Sequence, residues 1–148
     1  MSFGNYLRAG AVELEGDCAN RKRALEAVAA LLGAGGAAPA AAEIFKSLLA
    51  REKLGSTGLG HGIAVPHCRM PGVATPRAAV LRARRPVDFD APDGAPVRLF
   101  CALVVGADAT DEHLQIFADL VGQLNDAEQR DALLRARDRD AVLALLTR

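Results

Sequence analysis

From residue 20 to residue 32 the apolar positions Leu25, Val28, Ala29 and Leu32 recur at i, i+3, i+4 and i+7, which predicts one buried face of a helix. Glycines at 33, 35 and 36 and Pro39 break it, and a second helix is expected over 40–51 with Ile44, Phe45, Leu48 and Leu49 apolar. Residues 11–14 (AVEL) fit a short edge strand, and Ile63-Ala64-Val65, apolar and partly β-branched, fits another. Residues 78–84 alternate, with Val80 and Arg82 to one side and Leu81 and Ala83 to the other. Residues 99–105 (LFCALVV) are continuously apolar, as in a strand buried on both faces. Between these two strands PVDFDAPDGAP is rich in turn formers and suits a hairpin connection. The rest reads as helix: Ile116, Leu120, Val121 and Leu124 share one face, followed by Leu133-Leu134 and then Val142, Leu143 and Leu146. Helices on either side of a mixed set of strands predict an α/β sandwich, one domain over residues 1–148.

Composition narrows the function classes. The chain has 51% hydrophobic and 24% charged residues, which suits a folded core rather than a disordered chain. It has no Trp, one Tyr and five Phe, too few aromatics for a base-stacking platform. Eighteen basic residues balance eighteen acidic ones, which argues against nucleic acid or an anionic lipid surface as partner. Cys18, Cys68 and Cys101 are scattered and odd in number, so neither a disulfide framework nor a zinc ribbon is expected. The first residues, MSFGNYLRAG, lack a signal-peptide pattern, and no stretch approaches the roughly 20 apolar residues of a membrane span. A cytoplasmic location without membrane insertion is the expectation.

The chemistry concentrates in GSTGLGHGIAVPHCRM, residues 55–70. As a nucleotide phosphate loop it fails: Gly55 and Gly60 have the outer spacing, but His61-Gly62 stands where Lys and Ser/Thr belong. The element that follows also reads as a strand, without the helix N-terminus that holds a phosphate. A metal or thiol site from His61, His67, Cys68 and His113 lacks the usual ligand spacing, and neighbouring His67 and Cys68 on a strand point to opposite faces. Cys68 as a nucleophile with His113 as its base rests on a lone thiol. In a third reading His67 itself is the nucleophile: a neutral imidazole nitrogen attacks a phosphoryl group, and small neighbours let backbone N–H groups approach the anion. Pro66 helps fix where His67 points. His113 stands just inside an expected helix start, after Thr110 and Asp111, both good N-cap types, where the dipole favours an anion. The residues alone leave the last readings open.

REKLGSTGLGHGIAVPHCRM, PVDFDAPDGAPVRLFCALVV and DEHLQIFADLVGQL, in this order, resemble the IIA proteins of the bacterial phosphoenolpyruvate-dependent phosphotransferase system. The resemblance is to the fructose/mannitol superfamily, and the R-E-x-L-G-S-T-G string is most similar to its nitrogen-regulatory branch. It covers most of the chain. The fold it implies is α/β, a mixed, mostly parallel sheet sandwiched between helices. The site it implies has His67 as phosphoacceptor, His113 as second imidazole, Arg51 holding the phosphoryl group, and Ser56 and Thr57 as phosphate-binding positions. The family usually has glycine directly after the acceptor; here Cys68 stands there, a side chain that would crowd the carrier or bring a redox-sensitive group.

The resemblance implies a phosphotransferase working through a phosphohistidine, with no cofactor and no metal. Its expected donor is an HPr-type phosphocarrier protein, and its expected output is regulation of protein targets, since the 148 residues contain no transport domain. Two alternatives are a sugar-specific IIA passing phosphate to a IIB domain, and a binding module that has kept the fold and lost transfer. Taken without the resemblance, Arg51 is a solvated helix-end cation, and Arg82, Arg84 and Arg85 form a solvated strand end.

Overall fold

The computed structural model describes residues 2–109 and 111–147, without the side chain of residue 112. In chain order its elements are β1 (Val12–Gly16), α1 (Arg21–Leu32), α2 (Ala41–Leu54), β2 (Gly58–Gly60), β3 (Ile63–Ala64), β4 (His67–Met70), β5 (Arg77–Val87), β6 (Val97–Gly106), α3 (Asp111–Leu124), α4 (Ala127–Arg135) and α5 (Arg139–Leu146). Short 3-10 turns at Phe3–Tyr6 and Ala9–Ala11 precede β1.

One sheet has the order β1-β5-β6-β3-β2, with β4 also beside β6. β1 pairs with β5, and β3 and β4 with β6, in parallel. β5 and β6, the longest pair, form an antiparallel hairpin, and β2 and β3 a smaller one. The sheet is therefore mixed, with most pairings parallel, and β1 lies at its edge. β3 and β4 are one interrupted track along β6. Ile63 is opposite Leu99, Ala64 opposite Phe100 and His67 opposite Leu103, so the register never slips. Pro66 has no N–H to give, but its carbonyl accepts from Leu103 N at 3.0 Å and keeps the track aligned.

Alternation on the central strands sorts the core into two layers. Ala79, Leu81 and Ala83 of β5 and Phe100, Ala102 and Val104 of β6 face α1 and α2, where they meet Leu25, Val28, Ile44 and Leu48. Ala78 and Val80, with Leu99, Cys101 and Leu103, face Ile116, Leu120, Leu133 and Val142 of α3 to α5. β6 is thus buried on both faces, as its unbroken apolar run requires. Each fully buried Leu or Phe contributes about 1.5–3 kcal/mol relative to exposure. Side-chain caps start three helices: Asn20 accepts from Arg23 N, Asp126 from Glu128 N and Asp138 from Ala141 N.

The arginine cluster is not the solvated strand end expected of it. Arg84 and Arg85 are exposed, but Arg82 is buried. Its Nη1 donates to the carbonyls of Leu133 (3.1 Å), Leu134 (3.1 Å) and Ala136 (2.8 Å), the unsatisfied C-terminal end of α4. Arg82 points to the same sheet face as Val80, where α4 packs, so alternation carries it inward. Among the described residues no helix is long and apolar enough to cross a membrane.

Candidate functional site

Gly55 ends α2, and the chain turns into the β2–β3 hairpin before reaching His67. The turn runs through three left-handed residues, Gly60 (φ +90°), His61 (φ +58°) and Gly62 (φ +81°), a path that glycine follows without steric cost. Gly58 has another reason to be glycine: a Cβ there would stand 2.8 Å from that of Ala91. The 88–96 loop between β5 and β6 folds back onto this segment. Asp93 accepts from His61 N at 3.0 Å, Phe89 O accepts from Ser56 Oγ at 3.0 Å, and Phe89 packs edge-on against Phe100. These glycines serve the turn and the loop contact.

Ser56 and Thr57 lie between α2 and β2, and both hydroxyls are engaged with the scaffold. Ser56 Oγ also accepts from Gly58 N at 3.1 Å. Thr57 is buried, and Glu52, only 3% exposed, takes both its N–H (2.9 Å) and its hydroxyl proton (2.7 Å). A buried carboxylate is retained where donors surround it, and here it ties the end of α2 to the start of β2.

His67 opens β4, half-buried. Its Nδ1 lies 2.8 Å from Val65 O. A carbonyl only accepts, so Nδ1 carries the proton and Nε2 the lone pair. One ring face lies against Phe117 of α3, with centroids 4.3 Å apart and planes tilted by 45°. Burial pushes the His67 pKa down from its ordinary value; the Arg51 charge also lowers it, against the opposing effects of the Val65 hydrogen bond and Glu52. The imidazole is therefore neutral at pH 7, with a free nitrogen: a competent nucleophile.

Arg51 is in the last turn of α2, where Nη1 donates to Gly55 O at 2.8 Å. One N–H of the fork thus caps its own helix while the cation stays within electrostatic reach of His67. His113 lies in the first turn of α3, four residues before Phe117 and so on the same helix face. Among the described residues its buried Nδ1 has no hydrogen-bond partner, and the residue lines a cavity of about 400 Å³ between residues 71–74 and 106–109. The fold brings Arg51 and Phe117 to His67 and puts His113 one helical turn from Phe117 along α3. Asp111 is the first residue of α3; Thr110, the other expected cap, lies outside the described residues.

Cys68 neither crowds the acceptor nor offers a reactive thiol. Its side chain turns to the opposite sheet face from His67, buried under α2 and hydrogen-bonded to Ser47, and burial raises its pKa. This orientation also removes Cys68 from any joint site with His67 or His113. Among the described residues no group of three or more His, Cys, Asp or Glu side chains is arranged to hold a metal ion.

Phe117 and Glu52 are the site residues that sequence reasoning missed. Both lie inside the quoted motifs, and the sole signal was spacing: Phe117 at i+4 from His113, Glu52 beside Arg51.

The family described as "Phosphoenolpyruvate-dependent sugar phosphotransferase system, EIIA 2" matches residues 5–148. A nitrogen regulatory protein of Pseudomonas aeruginosa is 46% identical over 127 residues, covering 86% of this chain and 82% of that protein. The crystal structure of nitrogen regulatory protein IIA-Ntr from Neisseria meningitidis superposes with a TM-score of 0.91 at 40% identity, over 97% of each chain. The mannitol IIA structure from Escherichia coli gives 0.78 at 26% identity, over 95% of this chain and 98% of that one.

Proposed function

Because the chain belongs to the EIIA type-2 family of the phosphoenolpyruvate-dependent sugar phosphotransferase system, we propose that His67 accepts a phosphoryl group on Nε2 from an HPr-type phosphohistidine carrier. The single observation that carries this reading is the His67 Nδ1 to Val65 O contact, which leaves Nε2 unprotonated on a neutral ring. The Nε2 lone pair attacks phosphorus, and the N–P bond of the carrier breaks as the new one forms. The electron pair returns to the carrier's imidazole, and His67 keeps its Nδ1 proton throughout, so the exchange needs no net proton transfer.

Each neighbour has a part in this proposal. Arg51 offsets charge on the phosphoryl oxygens, and His113, at the N-terminal end of α3, adds a donor and the positive end of the helix dipole. Ser56 and Thr57, with hydroxyls already engaged, contribute by holding the α2–β2 corner against the phosphoryl site. Phe117 walls one face of the ring and keeps the attack direction narrow.

The output is a binding switch: a phosphoryl group adds close to two negative charges at the protein surface, which changes the regulatory proteins this face will accept. Likeness to nitrogen regulatory proteins supports this reading, with the cytoplasm as the compartment.

The test is incubation with phosphoenolpyruvate, enzyme I and an HPr-type carrier, read by intact mass beside His67→Ala. One acid-labile phosphoryl group in the wild type and none in the variant is expected. No gain from a carrier shown to be charged would leave a binding module without transfer, and efficient onward transfer to a sugar IIB domain would move the protein to a transport route.

A further inference from the structure

We infer that Arg69 is a second guanidinium for the phosphoryl group, acting beside Arg51; this rests on His67 being the acceptor. Cys68 and Met70 both pack into the core beneath α1 and α2. Strand alternation therefore turns His67 and Arg69 together toward α3.

The register then fixes what Arg69 faces. β4 runs parallel to β6, with Arg69 opposite Val105 and Met70 opposite Gly106. α3 begins at Asp111, just beyond the end of β6, and runs back over the strand: His113 stands beside residues 71–74, and Phe117 packs against His67. Two strand residues advance about 6.6 Å and four helical residues about 6 Å. Arg69 is thus level with His113 as His67 is level with Phe117.

Arg69 is also free to act. Three other arginines on the sheet donate to backbone carbonyls: Arg82 to those of α4, Arg77 to Leu32, Ala37, Ala38 and Pro39, and Arg98 to Ala83. Arg51 has committed one N–H to Gly55. Arg69 is exposed, and among the described residues its guanidinium makes no hydrogen bond or ion pair. A guanidinium matches phosphoryl oxygens in pairs, and its long side chain spans the distance of two strand residues. The phosphoryl group brings close to two negative charges, of which Arg51 neutralises one. Arg69 supplies the other.

The experiment measures the equilibrium constant for phosphoryl exchange between purified phospho-carrier and this protein, with enzyme I removed. Wild type, Arg69→Ala and Arg69→Lys are compared, with thermal melts as the folding control. A residue that binds the phosphoryl group shifts this constant, whereas one that only docks the carrier changes the rate of approach and leaves the endpoint alone. Arg69→Ala is expected to move the equilibrium about fivefold toward the carrier, the effect of one partly exposed charge-assisted contact. Arg69→Lys is expected to recover part of the loss. An unchanged endpoint in Arg69→Ala, at any rate, overturns the assignment while leaving His67 as the acceptor. Absence of phosphoryl uptake by the wild type overturns both.

Discussion

The His67 ring lies 4.3 Å from the ring of Phe117, at 45°, while its Nδ1 is held by Val65 O at 2.8 Å. One contact blocks a face of the imidazole and the other occupies a nitrogen, so a single nitrogen is left for chemistry. Phe117 also contributes to the burial that lowers the His67 pKa. Phe117→Ala is expected to raise that pKa toward the ordinary histidine value and to slow phosphoryl uptake. Imidazole chemical shifts followed against pH check the first effect, and a quench-flow transfer assay the second.

The lowered His67 pKa also has a consequence for stability. Below the unfolded pKa of about 6.5 the unfolded chain binds a proton there that the folded chain resists. Stability from this group is fully present above pH 6.5 and is lost as pH falls through 6.5 toward the folded pKa. Denaturant unfolding between pH 5 and pH 7 is expected to give a shallower pH slope in His67→Ala than in the wild type. Equal slopes would mean that His67 is not held neutral by the fold.

Glu52 satisfies two donors of Thr57 in a buried place. Thr57→Val removes one hydrogen bond and is expected to cost about 1–2 kcal/mol, whereas Glu52→Ala strands both donors and is expected to cost about 2–4 kcal/mol. The double variant is expected to cost less than the sum, since each change already breaks the shared contact. Urea midpoints for the two single variants and the pair measure this.

Arg82→Met removes the guanidinium from the carbonyls at the end of α4. A loss of about 2–4 kcal/mol is expected, with transfer to His67 unchanged because α4 does not contribute to the site. Amide exchange should locate the loosening in α4 and α5.

Cys68→Gly restores the residue that the resemblance leads one to expect after the acceptor. The side chain it removes is buried against Ser47, on the other face of the strand from His67. Transfer is therefore expected to stay at the wild-type rate while stability falls by about 1–3 kcal/mol, from the lost packing and the freer backbone. Faster transfer in the variant would mean that Cys68 does obstruct the carrier.

Legibility followed the strength of the local signal. α1, α3 and β6 were readable because their apolar positions repeat at the period of their own element or fill it completely. β2 and β4 were not. Gly-Leu-Gly is too short to alternate, and His-Cys-Arg-Met hides its two inward residues among chemically mixed neighbours. α2 runs to Leu54 rather than 51, because no breaker stands before Gly55. Arg82 was misread because its partners are backbone carbonyls some fifty residues away, which leave no trace in side-chain types. The choice of His67 and His113 came from the motif resemblance; the residues alone left them beside a thiol reading that the burial of Cys68 on the opposite sheet face now removes.

The central claim is that the fold holds His67 neutral, with Nδ1 protonated and Nε2 open to a phosphoryl donor. It is tested most directly by nitrogen NMR of ¹⁵N-histidine-labelled protein before and after phosphorylation by a charged HPr-type carrier. The account predicts a neutral Nδ1–H tautomer before the reaction and a phosphorus–nitrogen bond at Nε2 of His67 after it, with the Nδ1 proton retained. Phosphate on Nδ1, or a His67 that is protonated at pH 7 in the resting protein, would contradict it.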